Sequence, residues 1–526
     1  MRQKLPNFFV YSPILLVIPF IKLGLSANFG MIDDHLFLEV GDPSRFPKFG
    51  QLLHNYFSLQ PYGHTKRFQP TQMFLWSIQS WVFKWHDKES PVMWYLVPCL
   101  LMLLSTILMI RLIDRIYREM CPSSSVGRHH VILYQIGLVL IFLSLPIWRT
   151  SGFKLGIPEI YEIPLALLVL TFSAKIYFGN LNSKNFLSLI GSVVLIVGVR
   201  ETAFWYGLIP LILLWSQKRN LSATTRNMWA FFSIFSVMWS LWIVGGYYYQ
   251  VLNSGSDIYS SPIGFSRLLS SYSGQGFGQA KYYLTLFIVT EVCGLFLLIF
   301  RNIYVDKKFL AFILGMNMTV FLVDSFMLGS FFNGQYSTQR IVYLYLTLSY
   351  FCLLVYSQKL QFLYFFARHK IVPLTMLIIF SAICSNFYLK NFDQAKMIEM
   401  QNMKFNRAIS QAIFDSKEKQ YPIKLISSKP WDYEPIYSTA FNLKRISNPQ
   451  IYLEYTASKD QFLSSLSDLP TRKNLNAQLS AIEKSGNFAW KISAPNLNNL
   501  KFICLRMPNT EIYFKGHGCQ VVYNTN

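Results

Sequence analysis

Two carboxylates and an imidazole stand side by side in Asp33-Asp34-His35, directly after the first long apolar segment of the chain. Adjacent carboxylates beside an apolar surface can have shifted pKa values, and one of them can then act as a general base toward a hydroxyl group. Asp33 and Asp34 are therefore the candidate catalytic residues, with His35 in a supporting role. The sequence leaves open which carboxylate would be the base, and a capped or solvated loop is the structural alternative.

A cationic cluster follows in His64-Thr65-Lys66-Arg67-Phe68-Gln69-Pro70. A guanidinium offers a fork of donors that matches phosphate oxygens, and a lysine adds a point charge. Lys66 and Arg67 are therefore candidate phosphate ligands, supported by His64. The alternative is a basic surface loop that touches lipid headgroups.

A third group of ionisable residues lies in or beside apolar segments. Arg200-Glu201 occupies the middle of the apolar block 186–216, and Arg340 lies at the end of a later apolar segment. An ionisable residue at membrane depth is a functional candidate. We therefore expect Arg200 and Arg340 to contribute to phosphate binding, with Glu201 in support. A purely structural ion pair is the alternative at Arg200-Glu201.

The composition excludes an ordinary soluble enzyme. Of the 526 residues, 52% are hydrophobic and 14% are charged, against roughly 25% charged in soluble domains. These values indicate a polytopic membrane protein. The net charge of +22 fits basic cytoplasmic loops that face anionic lipid, so a nucleic-acid partner is not expected.

A membrane span needs about 20 apolar residues. The block 186–216 is too long for one span, and a charged pair at its centre would be costly within a bilayer. We therefore divide it into two short helices with Arg200 and Glu201 at the turn between them. The prediction is then eleven spans: 8–27, 91–113, 131–148, 160–178, 186–199, 203–216, 228–249, 282–300, 309–331, 340–357 and 371–388.

Basic residues orient these spans, because basic loops face the cytoplasm. One set of loops holds 12 Lys and Arg in 49 residues: 114–130, 217–227, 301–308 and 358–370. The opposite set holds 5 in 52: 149–159, 250–281 and 332–340. Loop 28–90, the Arg200-Glu201 turn and the C-terminal tail then lie together on the outer side. We interpret the first segment as an uncleaved helix, with a cleaved signal peptide as the alternative.

The tail contains no apolar run of span length, which divides the chain into a transmembrane domain, 1–389, and a second domain, 390–526. A helical pattern covers 392–416, and strands are predicted in IKLISS, ISNPQIYLEY, KFICLR, TEIYF and CQVVY. The tail is therefore predicted to be a small extracytoplasmic α/β domain, interpreted as a packing or acceptor-docking module. Cys504 and Cys519 lie on two of these strands, and the sequence leaves a disulfide between them open.

The order of these parts resembles the GT-C membrane glycosyltransferases, which include dolichol-phosphate-sugar-dependent transferases, protein O-mannosyltransferases and bacterial aminoarabinose transferases. The likeness rests on a first span and a long outer loop that opens with Ile32-Asp33-Asp34-His35 and closes with Arg67-Phe68-Gln69-Pro70. Many further spans and an outer C-terminal domain follow, and the Arg200-Glu201 turn is similar to bacterial members. The resemblance implies a GT-C-like transmembrane fold. It also implies that Asp33 or Asp34 is the catalytic base or orients the acceptor.

The implied function is transfer of a sugar from a polyprenyl-phosphate donor to a hydroxyl acceptor at the outer face of the membrane. The partners are then the lipid-linked donor, a glycan, lipid or protein acceptor, and membrane lipid. No cofactor is expected, because the chain lacks a P-loop and a Rossmann fingerprint. The metal-binding set of oligosaccharyltransferases has no clear match, so a divalent metal has no support. The absence of Asn-X-Ser/Thr sites from the predicted outer parts favours a bacterial inner membrane.

Two other classes stay open. A transporter or flippase of a polyprenyl-linked glycan would use intramembrane carboxylates such as Glu162, Glu291 and Asp324. A glycan polymerase or ligase would place its arginines in the later outer loops, 250–281 and 332–340. A central cavity lined by Glu291 and Asp324 would favour transport, whereas one cavity shared by the acidic pair and the cationic cluster would favour the transferase.

Overall fold

The computed structural model of the protein is mostly helical, with a small sheet near the C-terminus. The residues that it describes are 12–30, 69–83, 91–120, 135–136, 139–140, 142–143, 148, 155, 159–254, 287–288, 291–299, 306–328, 371–427, 433–455, 462–465, 500–507 and 518–525.

Ten named helices follow one another along the described parts of the chain. They are α1 Ile18–Leu25, α2 Pro70–Phe83, α3 Val92–Met120, α4 Glu159–Tyr177, α5 Ser183–Val199, α6 Ile209–Gln217, α7 Ala223–Ser254, α8 Lys307–Leu328, α9 Ile371–Lys419 and α10 Tyr433–Ile446. Short 3-10 segments precede α1, α6 and α7, at Ser12–Val17, Glu201–Leu208 and Lys218–Asn220 respectively.

Three helices in the described part of the chain are long and apolar enough to cross a membrane. They are Val92–Ile116, Ile160–Tyr177 and Ala223–Tyr249, and Ser12–Leu25 and Ser183–Val199 are apolar but shorter. These segments coincide with predicted spans, whereas the full set of eleven is not confirmed. The predicted span 340–357 lies outside the described residues, and the predicted spans 8–27, 131–148, 282–300 and 309–331 are described only in part.

The helix break predicted within the block 186–216 is present. α5 begins after Asn182, whose side chain accepts a hydrogen bond from the Asn185 backbone N–H at 2.7 Å, as an N-cap should. α5 ends at Val199, where Arg200 takes extended backbone angles (φ −149°, ψ 129°), and a 3-10 segment begins at Glu201. The two charged residues therefore occupy the junction between two short apolar helices.

The chain reverses direction at this junction. Gln217, the last residue of α6, donates from its amide to the carbonyl of Tyr177 at 3.2 Å, and Tyr177 ends the helix that precedes α5. The end of α6 is thus close to the start of α5. α7 packs along the first arm, where the Trp239 indole donates to the Val194 carbonyl at 3.1 Å. α5 and α6 form a hairpin, and Arg200 and Glu201 lie at its tip.

Contacts sort the described connections of the bundle into two ends. At one end, the Tyr177 hydroxyl donates to the Asp306 carboxylate at 2.9 Å, so the connections after α4, after α6 and before α8 meet there. The hairpin tip is at the other end. The side of a membrane that each end faces stays a prediction.

The last helix of the bundle is 49 residues long and continues into the C-terminal segment without a break. The sequence predicts separate helices over 371–388 and 392–416. α9 joins them because its only proline, Pro373, lies in the first turn, where proline is tolerated, and no glycine interrupts the rest. The predicted domain boundary at 389 therefore falls within a continuous helix.

The C-terminal segment contains a five-stranded sheet of order β3-β2-β1-β4-β5. Its strands are β1 Ile423–Ser427, β2 Ile451–Tyr455, β3 Phe462–Ser465, β4 Phe502–Arg506 and β5 Cys519–Asn524. The pairs β1-β2, β1-β4 and β4-β5 are parallel, and β2-β3 is antiparallel. The central strand is buried throughout, as expected of a parallel strand covered on both faces.

Four of the five predicted strands are confirmed, and TEIYF lies outside the described residues. α10 and β3 were not predicted. α10 carries a proline in its first turn, and it is held by apolar residues that pack on one face of the sheet with α9, among them Ile436, Tyr437 and Leu443. Cys504 and Cys519 form a disulfide between β4 and β5, which decides the pairing that the sequence left open.

Candidate functional site

The tip of the α5–α6 hairpin is polar and buried. Arg200, Glu201 and Thr202 are 2%, 3% and 2% exposed. Burying charged groups without partners costs several kcal/mol each, so such groups are kept where other polar groups meet them. We call Gln69, Glu162, Arg200 and Glu201 the tip cluster, since these four residues from three separate segments meet here.

Arg200 contacts the carboxylate of Glu162 on α4. Its Nη1 lies 3.5 Å from Oε2 of Glu162, and both side chains are buried. Glu162 stands in the first turn of α4, where the helix dipole favours a negative charge. A charge-assisted hydrogen bond is usually about 2.7–2.9 Å long. The Arg200–Glu162 pair is therefore loose, although it is almost fully shielded from solvent.

Glu201 contacts loop 28–90 at the residue just before α2. The Gln69 amide donates to Oε2 of Glu201 at 2.8 Å, and Gln69 is 5% exposed. Gln69 immediately precedes α2, which starts with Pro70, a residue well suited to the first helical position. The contact fixes the point at which this loop turns into a helix against the hairpin tip.

α2 is seated on the hairpin through a glycine. A Cβ added at Gly198 would collide with the side chain of Thr71, so the absence of a side chain lets the two helices approach closely. Gly198 is two residues from Arg200, and Thr71 is two residues from Gln69. The close approach of the two helices therefore brings Gln69 next to the hairpin tip.

Two buried glutamines of α2, Gln72 and Gln79, differ in their hydrogen bonds. Gln79 accepts from the Tyr161 hydroxyl at 2.7 Å and donates to the Trp94 carbonyl at 3.2 Å, which ties α2 to α4 and α3. Gln72 is 2% exposed, and its Oε1 has no hydrogen-bond partner among the described residues. A buried amide oxygen without a partner is costly, so Gln72 is a candidate ligand-binding group.

The structure describes two of the nine site residues predicted from the sequence. Arg200 and Glu201 lie in the tip cluster, where each contacts a different segment. The other seven lie outside the described residues: Asp33, Asp34, His35, His64, Lys66, Arg67 and Arg340.

Sequence reasoning missed the partners in this cluster. Glu162 was considered for a transporter alone, and Gln69 appeared as part of a motif without a role. An acidic residue inside an apolar helix was the available signal for Glu162. No local pattern marks Gln69, because its partner Glu201 is 132 residues away in the sequence.

Of the other two carboxylates named for a transporter, the structure describes the side chain of Glu291. Glu291 is 6% exposed and accepts a 2.5 Å hydrogen bond from the Asn317 amide on α8. The Asn317 amide thus provides a hydrogen-bond donor to one oxygen of this buried carboxyl group. Asp324 belongs to α8, but its side chain lies outside the described structure.

The beginning of loop 28–90 is held by α9. Glu399 accepts from both the side-chain amide and the backbone N–H of Asn28, at 2.7 and 3.2 Å. Burial raises the pKa of the Glu399 carboxyl above its usual value, while the two hydrogen bonds from Asn28 act in the opposite direction. Asn406, two turns further along α9, donates to the Phe29 carbonyl at 2.6 Å.

Within the described ranges, no three His, Cys, Asp or Glu side chains are arranged to hold a metal ion. The groups that the described site offers are amides, carboxylates and a guanidinium. Such groups can hold a polar or charged ligand through hydrogen bonds and charge.

No family model, no curated protein and no solved structure matches this chain.

Proposed function

We propose that this chain is a membrane glycosyltransferase of the GT-C type. It transfers a sugar from a polyprenyl-phosphate donor to a hydroxyl group of a glycan, lipid or protein acceptor. In this proposal the protein has eleven spans in a bacterial inner membrane, and its C-terminal domain is extracytoplasmic. The proposal rests on one structural observation, the contact between Glu201 at the hairpin tip and Gln69, the residue of loop 28–90 just before α2.

This contact limits where the cationic cluster can be. Consecutive Cα atoms lie 3.8 Å apart, so the Cα atom of Arg67 lies within about 7.6 Å of that of Gln69. Gln69 itself is hydrogen-bonded to Glu201, next to Arg200. This contact supports the proposal that Arg67 and Arg200, 133 residues apart in the sequence, act on one phosphate group.

Two observations support the membrane setting and the compartment. Three helices in the described residues have the length and composition of membrane spans. The disulfide between Cys504 and Cys519 favours an oxidising compartment for the C-terminal segment, because disulfides are rare in the cytosol. An extracytoplasmic C-terminal segment and a lipid-linked substrate in the outer leaflet are consistent with both.

The chemistry assigns one step to each group. The acceptor oxygen forms a bond to the anomeric carbon of the sugar, and Asp33 or Asp34 accepts the hydroxyl proton. The bond from that carbon to the phosphate oxygen breaks, and the polyprenyl phosphate leaves with the electron pair. Lys66, Arg67 and Arg340 bind the phosphate and stabilise the charge that develops on it. His35 and His64 orient their neighbours.

Arg200 has a more specific role in this scheme. It is 2% exposed and ion-paired with Glu162. A phosphate can therefore reach it only by displacing the groups that cover it. In this proposal the guanidinium exchanges the Glu162 carboxylate, 3.5 Å away, for the phosphate of the donor.

The proposal is tested by sugar transfer in membranes that contain the protein. A radiolabelled polyprenyl-phosphate sugar is supplied, and the label is followed into cell-envelope acceptors. The double variant Asp33→Asn/Asp34→Asn should lose transfer, because neither amide can accept the hydroxyl proton. Asp393→Asn, which alters an exposed carboxylate on α9, is the matched control and should retain activity.

Full activity in the double variant would defeat the assignment. Movement of the intact lipid-linked sugar between leaflets, without cleavage of the sugar–phosphate bond, would instead identify a flippase.

A further inference from the structure

The first and last helices of the described bundle run side by side into the C-terminal segment. The Tyr388 hydroxyl donates to the Leu16 carbonyl at 2.8 Å, and the Phe20 ring packs edge-on against the rings of Tyr388 and Phe392. Residues later in the N-terminal segment thus contact residues later in α9. The two helices are parallel, and both lead toward the C-terminal sheet.

This pairing continues past the end of α1 as a set of polar contacts. Glu399 holds Asn28 with both carboxylate oxygens, at 2.7 and 3.2 Å, and Asn406 holds the Phe29 carbonyl at 2.6 Å. Glu399 and Phe29 are 7% and 3% exposed. Three hydrogen bonds between segments about 370 residues apart in the sequence therefore lie in a largely dry environment.

The C-terminal segment adds a further contact through α10. The Arg445 guanidinium lies over the ring of Phe29, with 5.4 Å between its carbon and the ring centroid. This distance is within the range of a cation–π interaction. Residues 28 and 29 are therefore held by the long helix on one side and by a helix of the sheet-containing segment on another.

We propose that α9 and α10 position the catalytic acidic pair by holding the two residues from which its loop begins, with Glu399 as the central positioning residue. This inference rests on the proposed function, because it assigns the reaction to Asp33 or Asp34. Asn28 is five residues before Asp33, so their Cα atoms are at most about 18 Å apart. The hydrogen bonds to Asn28 fix the start of the segment that leads to the acidic pair.

Exchange of donor and acceptor in the Asn28–Glu399 pair provides the test. Asn28→Asp places two carboxylates together and should release the segment. Glu399→Gln removes one acceptor oxygen and brings two amide groups together, and it should weaken the contact. The double variant Asn28→Asp/Glu399→Gln restores a complementary pair, since the glutamine can accept from the backbone N–H and donate to the aspartate.

Two measurements are made on the full-length protein in detergent. Hydrogen–deuterium exchange of peptides that cover 26–40 reports whether the segment is held, independently of any reaction. Steady-state sugar transfer then gives kcat and KM. Each single variant should show faster exchange and a kcat lowered by roughly ten- to a hundredfold, with little change in KM, since misplacing a reacting group affects the chemical step most. Glu418→Gln, an exposed residue of the same helix, is the control and should change neither quantity.

Recovery of both slow exchange and kcat in the double variant would support the inference. Unchanged exchange in the single variants would overturn the holding contact. Faster exchange with normal kcat, or no recovery in the double variant, would overturn the positioning role. If the unaltered protein transfers no sugar, the proposed function fails together with the catalytic part of this inference, and the exchange data then decide the holding contact alone.

Discussion

At the scale of single residues, the hairpin tip depends on buried charges whose partners come from other segments. Glu162 and Arg200 are paired with almost no exposure to solvent, and Gln69 covers Glu201. The low polarity around such groups makes each contact strong and each loss costly. Stability and function should therefore respond differently when one partner or both partners are replaced.

Replacing one partner of the buried ion pair should be worse than replacing both. Glu162→Met or Arg200→Met alone leaves one charge buried without the other, which costs about 3–5 kcal/mol. The double variant Glu162→Met/Arg200→Met should be closer to the unaltered protein in thermal stability in detergent. Its sugar transfer should nevertheless be lost if Arg200 binds the phosphate. A double variant whose loss of stability equals the sum of the two single losses would contradict a direct ion pair.

The two glutamines of α2 should differ in the same way. Gln72→Met replaces an amide oxygen that has no partner among the described residues, so thermal stability should be unchanged or slightly higher. Gln79→Met removes the contacts to Tyr161 and Trp94 and should cost about 1–3 kcal/mol. A loss of transfer in the stable Gln72→Met protein would assign Gln72 to substrate binding, and unaltered transfer would exclude it from the site.

At the scale of elements, the site depends on how closely α2 approaches the hairpin. α5 presents Gly198 to α2, and α6 follows the reversal of the chain at Arg200. α4 supplies Glu162 and Tyr161 from its first turn. None of these helices carries the site alone, so its geometry should be sensitive to a small displacement of one helix against another.

Gly198→Ala tests this sensitivity. The added methyl group would lie 2.9 Å from the Thr71 Cβ and closer still to the Thr71 hydroxyl, so α2 must move away from α5. Overpacking of this kind costs about 1–3 kcal/mol. Gly191→Ala is the matched control in the same helix, because nothing lies within 4 Å of its added Cβ. We expect it to stabilise α5 by about 0.5–1 kcal/mol through helix propensity, and thermal unfolding of both variants in detergent decides the comparison.

At the scale of the whole molecule, burial separates a central helix from a peripheral one. In the apolar window of α4, 72% of the residues are buried within the protein, against 28% in that of α7. α7 exposes large apolar side chains such as Phe231, Met238 and Leu241, as expected of a helix that faces lipid tails. α9 extends beyond this bundle, and its residues Phe405, Ala408 and Ile409 belong to the apolar core that it shares with the C-terminal sheet.

The contact between α9 and Asn28 should make stability depend on pH. Burial raises the pKa of Glu399 in the folded protein above its usual value of 4.5. Its protonated form is thus favoured by folding, and the resulting stabilisation is complete below that usual value and is lost as the pH rises through the raised pKa. Thermal unfolding measured from pH 4.5 upward should show the unaltered protein losing stability relative to Glu399→Gln.

Glu418→Gln is the control for this measurement, since its side chain is exposed and it should show no such trend relative to the unaltered protein. A stability difference between Glu399→Gln and the unaltered protein that does not vary with pH would contradict a raised pKa at Glu399.

Features that depend on a local pattern of residues could be predicted from the amino-acid sequence. Apolar segments predicted the helices, the charged pair Arg200-Glu201 predicted the break between α5 and α6, and alternating apolar residues predicted four strands. These predictions succeeded because hydrophobic periodicity and the cost of burying charge act over a few residues. The acidic pair and the cationic cluster come from the same kind of reasoning and stay predictions.

Contacts between groups far apart in the chain could not be predicted and are seen in the folded protein alone. Arg200 contacts Glu162 across 38 residues, Glu201 contacts Gln69 across 132, and Asn28 contacts Glu399 across 371. The Cys504–Cys519 disulfide was decided in the same way, by the pairing of β4 with β5. Such contacts follow from the packing of whole helices and strands, which places side chains together irrespective of their separation along the chain. No local pattern carries that information.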